Sequence, residues 1–131
     1  ISYTAEILKV DKENDMVLLK TSIVDNELNV IELAAAEPTQ GDIVYSVGNP
    51  LGVFRTISRG ILSNHKEGFY FSDNTTTYGN SGGALYNADC ELIGIPSNVL
   101  GYELEEGFVP ESGLGMSIDL LRIKEFLQGE M

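Results

Sequence analysis

Gly79-Asn80-Ser81-Gly82-Gly83 is the stretch of this 131-residue chain whose residue types could do chemistry. A serine that accepts an acyl group must be approached closely by a carbonyl, and the developing oxyanion must meet backbone N–H donors. Glycine at 79 lets the backbone turn so that the amides of Gly79 and Ser81, with Asn80 between them, can point into one pocket. Glycines at 82 and 83 leave no side chain to obstruct the hydroxyl. The same residues would also make an ordinary Gly-rich turn, so the pentapeptide alone leaves both readings open. A Gly-x-Ser-x-Gly serine can also stand on a strand-to-helix elbow. Here Ala84 and Leu85 lead instead into a short strand, a turn at Asn87 to Asp89, and a strand from Glu91 to Ile95. That context puts Ser81 on a loop at the edge of a barrel.

The other reactive side chains are few. The single Cys90 has no partner for an intramolecular disulfide and no nearby histidine to act as its base, so it reads as a passive small residue. Without a Cys or His cluster, no structural zinc site and no cofactor are expected. The one histidine, His65, falls in the polar stretch Ser63 to Gly68 and reads as an exposed turn residue at a hairpin tip. The net charge of −12, from 20 acidic against 8 basic residues, argues against binding a phosphate backbone and is most simply a matter of solubility. No apolar run approaches the length of a membrane span.

Short apolar or alternating runs separated by turn residues predict a mostly β fold, a barrel or sandwich rather than a parallel sheet with helical crossovers. The runs are Tyr3 to Val10, Met16 to Thr21, Val30 to Leu33, Ile43 to Val47, Thr56 to Leu62, Phe69 to Ser72, Ala84 to Tyr86, Leu92 to Ile95 and Leu114 to Ile118. The punctuated stretch Glu37 to Asp42 divides residues 1–37 from residues 38–131. One helix is expected, from Asp119 onward, with Leu120, Ile123 and Leu127 at helical spacing and Leu121 widening the stripe. Ser117 or Asp119 can cap its start, and Gly129 can end it.

Around the serine, five blocks occur in order. They are Val44 to Gly52 (VYSVGNPLG), Thr56 to Ser63 (TISRGILS), Asp73 to Tyr78, Leu92 to Ile95 (LIGI) and Gly113 to Ile118 (GLGMSI). Together they resemble trypsin-like serine proteases, and are most similar to the HtrA (Deg) group, over nearly the whole chain. The resemblance implies a chymotrypsin-like double β-barrel, of which residues 1–37 would be the last part of barrel one and residues 38–131 barrel two with the terminal helix. It implies a serine endopeptidase with Ser81 as nucleophile, an oxyanion hole at Gly79, Asn80 and Ser81, and polypeptide substrates. Asp15, before the run Met16 to Leu19, matches the aspartate that orients the catalytic histidine; Asp11 and Asp15 would each also serve as turn-capping residues.

The family's chain order is His, Asp, Ser, yet none of the fourteen residues before Asp15 is histidine. The order Asp15, His65, Ser81 is that of subtilisin, but the flanks lack that fold's alternation of strands and helices. The expectation is therefore a histidine on an upstream segment or another chain that completes barrel one; the alternative is a relative that has lost catalysis and binds peptides or acts as a scaffold. The chain opens at Ile1 without Met or a leader, which fits a processed or trimmed start. By resemblance, Thr75, Ile95, Pro96 and Ser97 line the pocket for the residue N-terminal to the scissile bond. With no aspartate at 75 and no histidine on that strand, small or medium apolar residues are the expected choice. Gly101 to Glu111 reads as a solvated acidic loop between two pocket strands. The resemblance leaves oligomer formation and further PDZ modules open, and favours a periplasmic or other extracytoplasmic location.

Overall fold

A computed structural model describes residues 2–24, 28–74, 79–99, 102–105, 107–109 and 113–129. Strands β1 (Ala5–Asp11) and β2 (Met16–Thr21) form an antiparallel two-stranded sheet, joined by a turn in which Asp11 accepts hydrogen bonds from the Asn14 backbone N–H at 3.0 Å and from its Nδ2 at 2.8 Å. Those bonds, the side-chain one first, hold the Asp11 carboxyl below its usual range. Asp11 is thus the turn-capping residue, and Asp15 at the far end of the turn has φ +57° and stays exposed.

Strands β3 (Ile43–Gly48), β4 (Thr56–Lys66), β5 (Phe69–Ser72), β6 (Ala84–Tyr86), β7 (Leu92–Val99) and, after an intervening hairpin, β10 (Gly115–Ile118) close into a barrel of order β10-β5-β4-β3-β6-β7. Closure comes from β10, whose Ile118 faces Phe69 on one side and Ile95 on the other. The hairpin consists of β8 (Tyr102–Leu104) and β9 (Gly107–Val109), so the predicted acidic loop contains paired strands. Among the described residues the fold is mostly β with one α-helix, at its end, as expected.

Alternation does the work of filling the barrel. Val44, Leu62, Tyr70, Leu85 and Ile93, each from a different strand, meet Ala34 and Leu120 in one buried cluster. A second cluster joins Met16 of β2 to Ile118, Ile123 and Phe126, with Leu18 and Ile95 packed against it. The first hairpin is therefore tied to the helix by hydrophobic burial. Lys9 adds to this, donating from Nζ to the Phe126 carbonyl at 2.6 Å and lying 4.9 Å from that ring's centre.

Helix α1 (Leu120–Leu127) starts at Asp119, whose Oδ1 accepts from the Arg122 N–H at 3.0 Å. Gly129, at φ +85°, follows its end. The buried stripe is Leu120, Ile123 and Phe126; Leu121 points to solvent, contrary to expectation. Residues 30–33 also differ from expectation: they make no full strand, only a parallel bridge from Leu33 to Leu92. Among the described residues no helix is long and apolar enough to cross a membrane.

His65 is the main correction. It lies inside β4, paired with Tyr70 of β5, while the turn is made by Glu67 and Gly68. Its Nε2 is 2.8 Å from Oδ2 of buried Asp119, its Nδ1 is 3.9 Å from Glu37, and its ring packs 4.6 Å from that of Tyr70. A polar residue at a strand end is held here by a helix cap 54 residues away.

Tyr70 itself is fully buried, and its hydroxyl accepts from the Leu120 N–H at 3.2 Å. Burial pushes the phenol up to about 12, against the opposing effect of that N–H and with a further upward push from Glu37 and Asp119. The unfolded chain ionises this group near 10. A raised acid is neutral longer in the native state, so its contribution is complete below pH 10 and lost as pH rises toward 12. Melting temperatures between pH 9 and 12 should fall more steeply for the native sequence than for Tyr70→Phe; parallel curves would refute this.

Candidate active site

Ser81 leads into β6, the strand that lies between β3 and β7 in the barrel order. Its position follows from the loop's own backbone. Gly79 has φ +101°, and a Cβ there would collide with the Asn49 carbonyl oxygen. At Gly83 a Cβ would collide with the Val47 carbonyl oxygen. Glycine is required at both places because main chain, which cannot swing aside, occupies the space.

Hydrogen bonds hold the loop on both flanks. Asn49 N–H donates to the Gly79 carbonyl at 3.2 Å, Gly82 N–H to Pro96 at 2.8 Å, and Gly83 N–H to Asn80 at 3.0 Å. The Asn80 side chain is turned inward and buried. Ser81 is exposed, and its Oγ donates to the Ser97 carbonyl at 2.7 Å. The amide N–H groups of Gly79 and Ser81 donate to no other described residue. An exposed serine hydroxyl on a loop pinned by main-chain contacts is open to approach by a carbonyl.

Asp15 makes no hydrogen bond to Ser81. Both halves nonetheless border one space, since Asp15, Met16, Val17 and Leu18 line a cavity of about 260 Å³ with Gly82, Leu92, Ile95 and the helix residues Ile123, Phe126 and Leu127. Of the expected pocket residues, Pro96 and Ser97 lie beside the serine loop through the bonds above, and Ile95 packs in the cluster beneath the helix. Thr75 lies outside the described residues. The order Asp15, His65, Ser81 does not form a relay, because the His65 imidazole is bonded to Asp119. Sequence reading missed that pairing and the main-chain contact of Asn49 with Gly79; the Asn49-Pro50 turn after β3 was the available signal for the second.

A larger cavity of about 510 Å³, lined by Ile31, Tyr45, Val47, Ile57, Tyr86, Asn87, Ala88 and Cys90, touches none of the expected site residues. Its lining is almost wholly apolar and holds no base beside the Cys90 thiol.

A trypsin-like peptidase domain matches residues 1–95. The chain is 35% identical over 108 residues to a probable periplasmic serine endoprotease, DegP-like, of Buchnera aphidicola subsp. Schizaphis graminum, covering 75% of this chain and 22% of that protein. It is 32% identical over 126 residues to the serine endoprotease DegS of Escherichia coli K12, covering 88% of this chain and 35% of that one. With the periplasmic pH-dependent serine endoprotease DegQ of the same strain it shares 31% over 147 residues, covering 97% and 32%. It therefore spans 22 to 35% of the length of these relatives. The closed six-stranded barrel, the serine loop at the mouth of β6 and a domain match over residues 1–95 lead to one conclusion: the chain belongs to the trypsin-like peptidase family.

Proposed function

We propose that this chain is the serine-bearing part of an endopeptidase that cleaves peptide bonds through an acyl-enzyme. The observation that carries the reading is the exposed Ser81 hydroxyl beside two amides with no described acceptor. In the proposed cycle Ser81 Oγ attacks the scissile carbonyl, the N–H groups of Gly79 and Ser81, spaced by Asn80, receive the oxyanion, and water later releases the acyl group. Asp15 orients a histidine supplied from outside residues 1–131, from a segment or chain that completes barrel one above residues 1–37. That histidine takes the serine proton and returns it to the leaving amine. Thr75, Pro96 and Ser97, with Ile95 behind them, border a pocket for a small or medium apolar residue on the acyl side.

A second reading, a family member that binds peptides without cleaving them, is favoured by one observation. The histidine of this chain is bonded to Asp119, and by itself leaves Ser81 without a base. The relatives' names support polypeptide substrates and an extracytoplasmic location for this protein. The full-length protein is expected to react covalently with a fluorophosphonate, detected by mass spectrometry on the peptide containing Ser81. A folded full-length sample that stays unmodified would leave the peptide-binding reading.

A further inference from the structure

We infer that Lys9 is a positioning residue for the proposed cleavage: its ammonium pins the β1–β2 hairpin to the end of helix α1 and so sets where Asp15 stands relative to Ser81. This rests on the acyl-transfer reading of Ser81, in which Asp15 orients the histidine.

The two residues to be aligned belong to different parts of the chain. Asp15 stands at the tip of the β1–β2 hairpin, and Ser81 leads into β6 of the barrel. Helix α1 joins them, since its Ile123 and Phe126 cluster with Met16 of the hairpin and Ile118 of the barrel. That packing is apolar, and apolar burial has no direction. It is also incomplete near the tip. Asp11, Lys12 and Asn14 face Arg122 and Glu125 of the helix across a cavity of about 450 Å³. Asp15 and Val17 border the cavity of about 260 Å³ that they share with Gly82 and Leu127. A hairpin held by burial alone would have room to tilt over the helix.

Lys9 removes that freedom with contacts that do have direction. Its Nζ donates to the Phe126 carbonyl at 2.6 Å and lies 4.9 Å from the centre of the same residue's ring. Carbonyls in the last turn of a helix lack intrahelical donors and carry the negative end of its dipole, so an ammonium is a fitting partner. The strand is built to deliver it. Between Ile7 and Lys9 the register of β1 on β2 shifts, so that Lys9, not Leu8, stands opposite Leu18. An extra residue of this kind re-aims the side chain that follows it. It places Lys9 on the hairpin face from which Leu18 and Met16 pack toward the helix, while Val10 and Val17 on the other face are 52% and 50% exposed. From this anchor three paired positions lead to the tip: Lys9 with Leu18, Val10 with Val17, and Asp11 with Met16. The bonds from Asn14 to Asp11 brace the turn between them, so a tilt at Lys9 is carried to the Asp15 carboxylate.

The test compares two variants of the full-length protein. Lys9→Met keeps the aliphatic stem but loses the donor and the charge, and Lys9→Arg keeps both. With an internally quenched peptide as substrate, Lys9→Met should lower kcat by about 10- to 100-fold with KM little changed, the range that displacing a catalytic group by up to about 1 Å costs. Lys9→Arg should restore most of that loss. A double-mutant cycle with Asp15→Ala then separates positioning from general support. Asp15→Ala alone should cost about 10⁴-fold, as loss of the carboxylate that orients the histidine does. In that background Lys9→Met should bring no further loss, because it acts through Asp15. An equal loss in both backgrounds, native kcat in Lys9→Met, or a Lys9→Arg protein no better than Lys9→Met would each overturn the inference, with the acyl-transfer reading left intact. An Asp15→Ala protein as active as the native one would remove the role of Asp15 and this inference with it. So would a native protein that neither cleaves the peptide nor reacts with a fluorophosphonate.

Discussion

Ser81→Ala is expected to abolish fluorophosphonate labelling of the full-length protein and to lower peptide cleavage by about a millionfold, the loss typical when a nucleophile that acts as a unit with its base is removed. The fold should be almost untouched. The hydroxyl is exposed and among the described residues makes one hydrogen bond, to the Ser97 carbonyl, which contributes about 1 kcal/mol net. Catalysis and stability therefore separate at this residue, as they would not at a buried one. Peptide binding should persist, since the β7 residues Pro96 and Ser97 proposed to border the pocket are unaltered. Kinetics, probe labelling and thermal unfolding on the same samples check the three parts. A variant that keeps more than about a hundredth of the native cleavage rate would show that Ser81 is not the nucleophile, because no such residue survives deletion that well.

Gly79→Ala carries the next largest effect, and for a different reason. Its methyl group meets the Asn49 carbonyl oxygen, and its backbone must hold φ +101°, which alanine does not adopt readily. The loop has to rebuild, and the Gly79 amide leaves its place beside Ser81. Loss of one oxyanion donor lowers kcat by about 10²- to 10³-fold. The effect should fall on kcat more than on KM, since the oxyanion exists only after attack. Gly82→Ala is the matched control. It also has positive φ, +84°, but open space around its Cβ, so it carries the backbone strain without the collision and should lose far less. Similar kcat values for the two variants would mean that strain alone matters, and the assignment of an oxyanion hole at Gly79 would be wrong.

How much of this was legible beforehand differs from element to element. The sequence predicts Met16–Thr21, Phe69–Ser72 and Ala84–Tyr86 with their observed limits because each is a short apolar or alternating run closed by turn residues. For β4 and β7 the sequence predicts strands that are too short, ending at Leu62 and Ile95 instead of Lys66 and Val99. Their distal halves contain Ser63, Asn64 and His65 or Pro96, Ser97 and Asn98, residues with little strand preference of their own. Partners across the barrel, β5 for one and β10 for the other, supply the hydrogen bonds that extend them. The cap at Asp119 places the helix correctly, but the apolar spacing does not give its inner face. Phe126 is buried and Leu121 exposed because the facing surface is formed by Met16 and Ile118, which periodicity within the helix does not report.

The loop from Gly79 to Gly83 marks the same divide. From residue types alone came the possibility of a nucleophile, because small residues around a serine are a local chemical requirement. The mostly β architecture was likewise readable, because strand alternation and turn residues act over a few positions. What only the tertiary structure decided are the pairings between distant segments. Asn49 is set against Gly79, Ser97 against Ser81, the Asp15 turn shares a cavity with Gly82, and His65 is engaged by Asp119. Each depends on strand register and on closure of the barrel, in which residues far apart in the chain compete for the same neighbours. Local propensity has no term for that competition.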